Sequence, residues 1–96
     1  KNDSIIDVGS GVSILADNLL DEGYTHLSLL ELSPTAIQTT KDRLKAHTSK
    51  VNFYNENILN FQSDTQFDLW HDRAVFHFLT DEKDQKTYLN KLDQYL

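Results

Sequence analysis

Ser4-Ile5-Ile6-Asp7-Val8-Gly9-Ser10-Gly11-Val12-Ser13 is the stretch on which the fold turns. A β-branched run interrupted by one acid reads as a strand buried on both faces. It ends at Gly9 and Gly11, where the missing Cβ permits a tight bend and the close approach of a ligand. Val12, Leu15, Ala16, Leu19 and Leu20 follow at helical spacing. They predict a helix started by Ser10 or Gly11 and stopped by Gly23.

The same alternation continues outward. His26 to Glu31 reads as a second strand, and Ser33-Pro34 as an N-cap followed by proline at the first helical position. The helix it opens carries Ala36, Ile37, Thr40 and Leu44 on one face and is expected to end near His47. Lys41, Arg43 and Lys45 fall in its later turns, where cations favour the negative end of the dipole; with Lys50 they read as a solvated helix end. Val51 to Asn55 is a third strand. A mainly polar loop from Asn57 to Gln66 leads to a fourth strand, Phe67 to His71, and then to a short apolar turn from Ala74 to Leu79. Thr80 is the expected cap of a last helix, whose buried face is Tyr88, Leu89, Leu92, Tyr95 and Leu96. Strands alternating with helices imply an α/β fold with a mainly parallel sheet and helices on both faces.

Ninety-six residues, 39% hydrophobic and 25% charged, amount to one domain at most. No apolar run is long enough to span a bilayer and no signal-peptide pattern opens the chain, so a globular, cytoplasmic protein is expected. There are no cysteines, which rules out disulfides, thiolate ligands and cysteine nucleophiles within these residues. A net charge of −6 argues against a broad nucleic-acid footprint. His71 and His77 stand six apart, a poor spacing for a metal site, and none is expected. The chain starts at Lys1, contains no methionine and is still helical in pattern at Leu96. These features predict an internal piece of a longer protein, with at least one further strand outside it.

Two features predict a nucleoside ligand. One is the glycine bend at the carboxyl end of a strand, where open α/β sheets bind ligands. The other is Glu31, 20 residues past Gly11 at the end of the second strand, where a carboxylate can accept from both hydroxyls of a ribose. The dinucleotide fingerprint needs a third glycine, and Ile14 stands in its place. Asp7, two residues before Gly9, would repel a pyrophosphate and suits a cationic ligand bearing an amino group and a sulfonium.

These segments resemble the class I S-adenosylmethionine-dependent methyltransferases. DVGSG after a strand looks like the family's first motif, LLELSPTAI like the second-strand motif with its ribose-binding acid, and NFYNENILNF like the third-strand segment that faces adenine. FDLWHDRAVFHFLTDEKDQKTYLNKL resembles a subgroup with a WHDRAVFHFL-type fourth-strand string. The resemblance runs from Asp3 to Leu96 and implies a Rossmann-like three-layer sandwich, here the cofactor-binding part of a single domain cut short at its C-terminal side. It implies S-adenosylmethionine as methyl donor and a small-molecule acceptor. Asp7 would hold the donor's amino group through water, and Gly9, Ser10 and Gly11 would line its methionine part with backbone. Glu31 would bind the ribose and Leu32 pack on adenine. Asn57 would accept from the adenine amino group and the Ile58 N–H donate to a ring nitrogen. His71 and Asp72, at the mouth of the site, are the catalytic candidates. Two positions depart from the family pattern: Ser13 stands at a frequent glycine, and Asn57 at a frequent aspartate.

Plainer readings stand beside these. The glycine bend could be a simple strand-to-helix turn in a non-catalytic Rossmann-like module. Glu31 could stabilise the start of the Pro34 helix. His71, Asp72 and Arg73 could form a hydrogen-bond cluster at a strand end, and His77 could be packed among Val75, Phe76, Phe78 and Leu79. A nicotinamide dehydrogenase is a third possibility, against which the missing glycine and Asp7 both speak.

Overall fold

The computed structural model describes residues 3–63, 65–72, 75 and 79–96. Arg73, Ala74, Phe76, Phe78 and the packed role expected of His77 lie outside the described residues. Four strands form one parallel sheet: β1 (Ser4–Val8), β2 (His26–Leu30), β3 (Val51–Tyr54) and β4 (Leu69–Asp72), in the order β3-β2-β1-β4. Helix α1 (Leu15–Asp21) joins β1 to β2, and α2 (Pro34–Leu44) with a 3-10 turn over Lys45–Lys50 joins β2 to β3. A short 3-10 turn, Ile58–Asn60, precedes β4, and α3 (Glu82–Tyr95) follows it. The chain grows outward from β1 to β3 and then returns to the other side of β1. The order therefore reverses between β1 and β4, the position where open α/β sheets leave a crevice at their carboxyl ends.

Strand alternation sorts the core into two layers. Ile6, Val8 and Leu30 face α3 and pack with Ile58, Phe61, Phe67, Tyr88 and Tyr95. Ile5, Leu27, Leu29 and Val51 face the other way and pack with Ala16 and Leu44. Phe61 is the hub of the first layer, with ring centroids 5.1 Å from Tyr54 and 5.6 Å from Tyr95, both edge-on. Such contacts add to what burial itself supplies.

Several element ends differ from the sequence expectation. Helix α1 starts at Leu15 rather than at Ser10 or Gly11 because both glycines hold positive φ, +71° at Gly9 and +54° at Gly11, which no α-helix accommodates. Val12, expected on its apolar face, is therefore outside the helix and 55% exposed. Helix α2 ends at Leu44, three residues early, where Lys45 turns to φ 47°. Strand β4 starts two residues later than expected, at Leu69, in register with Ile5 of β1. Asp81, not Thr80, caps α3: its carboxylate accepts from the Lys83 N–H at 2.8 Å. Only Tyr88 and Tyr95 of α3 are fully buried. Leu89 and Leu96, one position further round the helix, point past the core and are about half exposed.

Candidate functional site

The strand ends and the segments leaving them enclose a cleft of about 240 Å³. Gly9 and Leu30 form its floor, and Glu31, Leu32, Glu56, Asn57 and Ile58 one side. Val75 and Leu79, from the segment between β4 and α3, form the other. Gly9, Glu31, Leu32, Asn57 and Ile58, all expected at one site from sequence, thus meet at one cleft. Glu56, Val75 and Leu79 were not singled out. The signal for the last two was the apolar run after β4, which read as packing alone.

The glycine bend is fixed from three directions. The Gly9 and Ser10 N–H groups donate to the Leu30 carbonyl at 2.8 and 3.2 Å, and the Gly11 N–H donates to Glu31 Oε1 at 2.8 Å. From α2, Thr40 donates to the Gly11 carbonyl at 3.3 Å. Arg43 donates to the Val12 and Ser13 carbonyls at 3.2 and 2.7 Å while pairing with both oxygens of Asp17 at 2.9 Å. Arg43 is therefore no solvated helix end; its planar fork ties α2 to the loop and to α1 at once. At Gly9 itself the Val75 side chain lies so close that a methyl group would overlap its Cγ2. Only a glycine leaves room there.

This bend differs from a phosphate cradle. Such a cradle offers N–H groups to an anion at the start of a helix. Here those N–H groups are spent on Leu30 and Glu31, and α1 begins four residues beyond Gly11, its Leu15 N–H bonded to Ser13 Oγ at 3.2 Å. The helix start, expected at Ser10 or Gly11, is thus displaced from the bend.

Glu31 has two local partners. Oε1 accepts from Gly11 and Oε2 accepts from the Ser33 N–H at 2.9 Å, which also ties it to the cap of α2. Each oxygen has a further lone pair, so the structural duty and a ligand contact are compatible. Asn55 donates to the Glu31 and Leu32 carbonyls, each at 2.9 Å, and presents Leu32 at 64% exposure beside the cleft. Asn57 Oδ1 accepts from the Leu59 N–H at 3.0 Å, capping the turn. The Ile58 side chain is buried in the core beneath it.

The remaining sequence candidates do not line the cleft. Asp7 is 2% exposed and projects on the α1 side of the sheet, where His71 Nδ1 lies 3.0 Å from its Oδ1. His71 is partly exposed, 45% by side chain. This contact fixes the orientation of the imidazole, with Nδ1 turned to the carboxyl group. Asp72 points to the opposite face of β4. Its Oδ1 accepts from the Val75 N–H at 2.6 Å, and its Oδ2 accepts from the Tyr88 hydroxyl. His71 and Asp72, adjacent in sequence, are therefore on different sides of the sheet and cannot act on one atom. Trp70 donates to the Tyr88 oxygen at 2.9 Å. Burial first, and then the bond to Asp72, push the Tyr88 phenol well above its ordinary value. Among the described residues no group of histidines and carboxylates could hold a metal ion, and no helix is long and apolar enough to cross a membrane.

A family profile described as "Methyltransferase domain" matches residues 5–96. The chain is 27% identical over 96 residues to malonyl-acyl-carrier-protein O-methyltransferase 1 of Ilyobacter polytropus, covering 99% of this chain and 35% of that protein. Among solved structures, it is similar to an S-adenosylmethionine-dependent methyltransferase from Clostridium acetobutylicum, with a TM-score of 0.86 and 20% identity over 100% of this chain and 39% of that one. It is also similar to the N-methyltransferase NodS of Bradyrhizobium japonicum in complex with S-adenosyl-L-homocysteine, with a TM-score of 0.82 and 22% identity over 99% of this chain and 48% of that one. The chain thus spans about a third to a half of the relatives it matches, and the folds agree.

Proposed function

Because the chain belongs to the methyltransferase-domain family, we propose that it is the donor-binding part of an S-adenosylmethionine-dependent methyltransferase acting on a small-molecule acceptor. The observation that carries the reading is the cleft at the glycine bend. It has acidic side chains, Glu31 and Glu56, an exposed apolar platform at Leu32, and a bend whose Gly9, Ser10 and Gly11 N–H groups are already engaged. That combination suits a cation carrying a ribose and a flat base, and it disfavours a pyrophosphate.

In this reading Glu31, held by Gly11 and Ser33, accepts from the ribose hydroxyls through its outward lone pairs. Leu32 packs on one face of adenine, while Asn57 and the Ile58 N–H meet the base edge. Gly9, Ser10 and Gly11 present backbone to the methionine part. Asp7, which does not line the cleft, would reach the ammonium only through water, and His71 shares its carboxyl group. When bound, the donor supplies an electrophilic methyl group on a sulfonium. The residues here contribute alignment and exclusion of water, which such an in-line displacement needs most. Of the two catalytic candidates, Asp72 is engaged by Val75 and Tyr88, and His71, whose Nδ1 is engaged by Asp7, keeps Nε2 for proton transfer. Of the similar proteins, those named a sugar N-methyltransferase and a glycopeptide N-methyltransferase support a small acceptor, while the one named a malonyl-acyl-carrier-protein O-methyltransferase is named for an acceptor borne on a carrier protein.

Isothermal titration of the intact protein with S-adenosylhomocysteine tests the proposal. Binding of the nucleoside and none of NADH is expected. Glu31→Ala should weaken binding by about 1–3 kcal/mol, the usual cost of leaving a polar partner unsatisfied. An unchanged affinity in Glu31→Ala, or tighter binding of NADH, would overturn it.

A further inference from the structure

The two sides of the cleft are secured differently. The bend and the Glu31 side are held by β2 and α2. The opposite side, Val75 and Leu79, is held by α3, which does not itself line the cleft. The Val75 N–H donates to Asp72 Oδ1 at 2.6 Å. Asp72 Oδ2 accepts from the Tyr88 hydroxyl, and the Tyr88 oxygen accepts from Trp70 Nε1. One turn earlier on α3, Gln85 Nε2 donates to the Leu79 carbonyl at 2.6 Å. Gln85 and Tyr88 are three apart and so share a helix face. Their contacts lead to the two described residues of this segment that reach the cleft.

Packing alone does not require these hydroxyl and amide contacts. The Tyr88 ring is already anchored edge-on to Trp70, with centroids 6.0 Å apart, and is 3% exposed. These hydrogen bonds are partly shielded from water and directional, so they hold position more strictly than an apolar contact does. The position it holds matters because the Val75 side chain closes directly over Gly9.

We propose that Tyr88, acting through Asp72, and Gln85 are positioning residues for the donor cleft: from α3 they fix Val75 and Leu79 against the glycine bend and thereby set the affinity for donor and product. The inference rests on the reading of this cleft as the donor site. Helix α3 becomes a lever on it, since a shift of the helix along its axis moves both attachment points together.

The test pairs calorimetric binding of S-adenosylhomocysteine with thermal unfolding, in the intact protein. Tyr88→Phe keeps the ring and removes the hydroxyl, and Asp72→Ala removes both acceptors; each should raise Kd about tenfold. Asp72→Asn keeps an oxygen for the Val75 N–H and should stay within about threefold of the parent. Gln85→Ala, at a half-buried position, should raise Kd several-fold with little change in Tm. Should Asp72→Ala fail to fold, Tyr88→Phe and Gln85→Ala still decide the matter. A lower Tm with unchanged Kd in Tyr88→Phe, together with unchanged Kd in Gln85→Ala, would show that α3 merely packs and would overturn the inference alone. A parent protein that does not bind the nucleoside would overturn the donor-site reading, and this inference with it.

Discussion

Gly9 shows how a single position joins backbone to site. Its φ of +71° lies where an L side chain is strained, and a methyl group would also run into Val75. Gly9→Ala should therefore cost about 2–5 kcal/mol, from left-handed strain and overpacking together. Because the two costs have separate origins, Val75→Ala in the same chain should recover the overpacking share and leave the strain. Urea unfolding of the two single variants and the double variant measures that coupling; strictly additive effects would show that the contact is not felt. From sequence, the glycine's conformational freedom was legible and its neighbour was not. Val75 lies 66 positions away, within an apolar run that any core could use. Arg43 was obscured in the same way. In a line of basic residues near a helix end, nothing local distinguishes the one that reaches Asp17, 26 positions earlier, and two loop carbonyls.

Helix boundaries were legible where local chemistry fixes them. Ser33-Pro34 starts α2 as its pattern demands, with Ser33 Oγ accepting from the Ala36 N–H at 3.2 Å. At α3, however, Thr80 and Asp81 are both competent caps, and the pattern alone does not choose between them. The structure chooses Asp81, whose carboxylate also faces the positive end of the helix dipole. Asp81→Ala should accordingly cost about 1 kcal/mol, and Thr80→Ala should stay within about 0.5 kcal/mol of the parent. Chemical denaturation of both variants separates them, and a larger loss at Thr80 would place the cap where the sequence first suggested. If α3 holds one side of the cleft, Asp81→Ala should also loosen nucleoside binding slightly. Helix α1 is the converse case. Its apolar spacing starts one turn too early, at Val12, because the positive φ of Gly11 delays the first turn to Leu15, and a periodicity argument carries no information about φ.

At the scale of the molecule, the alternation of strands and helices was enough for a parallel sheet, and the glycine bend with Glu31 was enough for one side of its cleft. The other side depends on hydrogen bonds that cross from β4 to α3, and no spacing rule encodes these. The same bonds make the fold sensitive to alkali. Tyr88 is buried and donates to Asp72, so the folded state favours its neutral form and raises its pKa. In the unfolded chain the phenol ionises near pH ~10. Above that pH the unfolded state loses a proton that the folded state keeps, so it is the unfolded state that gains. The contribution of Tyr88 is thus fully present below about pH 10 and declines as pH rises beyond it. Tyr88→Phe has no proton to lose. It should be less stable than the parent at pH 8, by about 1–3 kcal/mol for the lost hydrogen bonds, yet the gap should narrow as pH rises above ~10. The two proteins share every other ionisable group, so the difference between the two curves isolates this one. Urea unfolding at a series of pH values from 8 to about 11 gives that difference directly. If the two curves stay parallel across the range, the Tyr88 proton is not held by the fold, and the Asp72–Tyr88 bond that secures Val75 is weaker than its geometry implies.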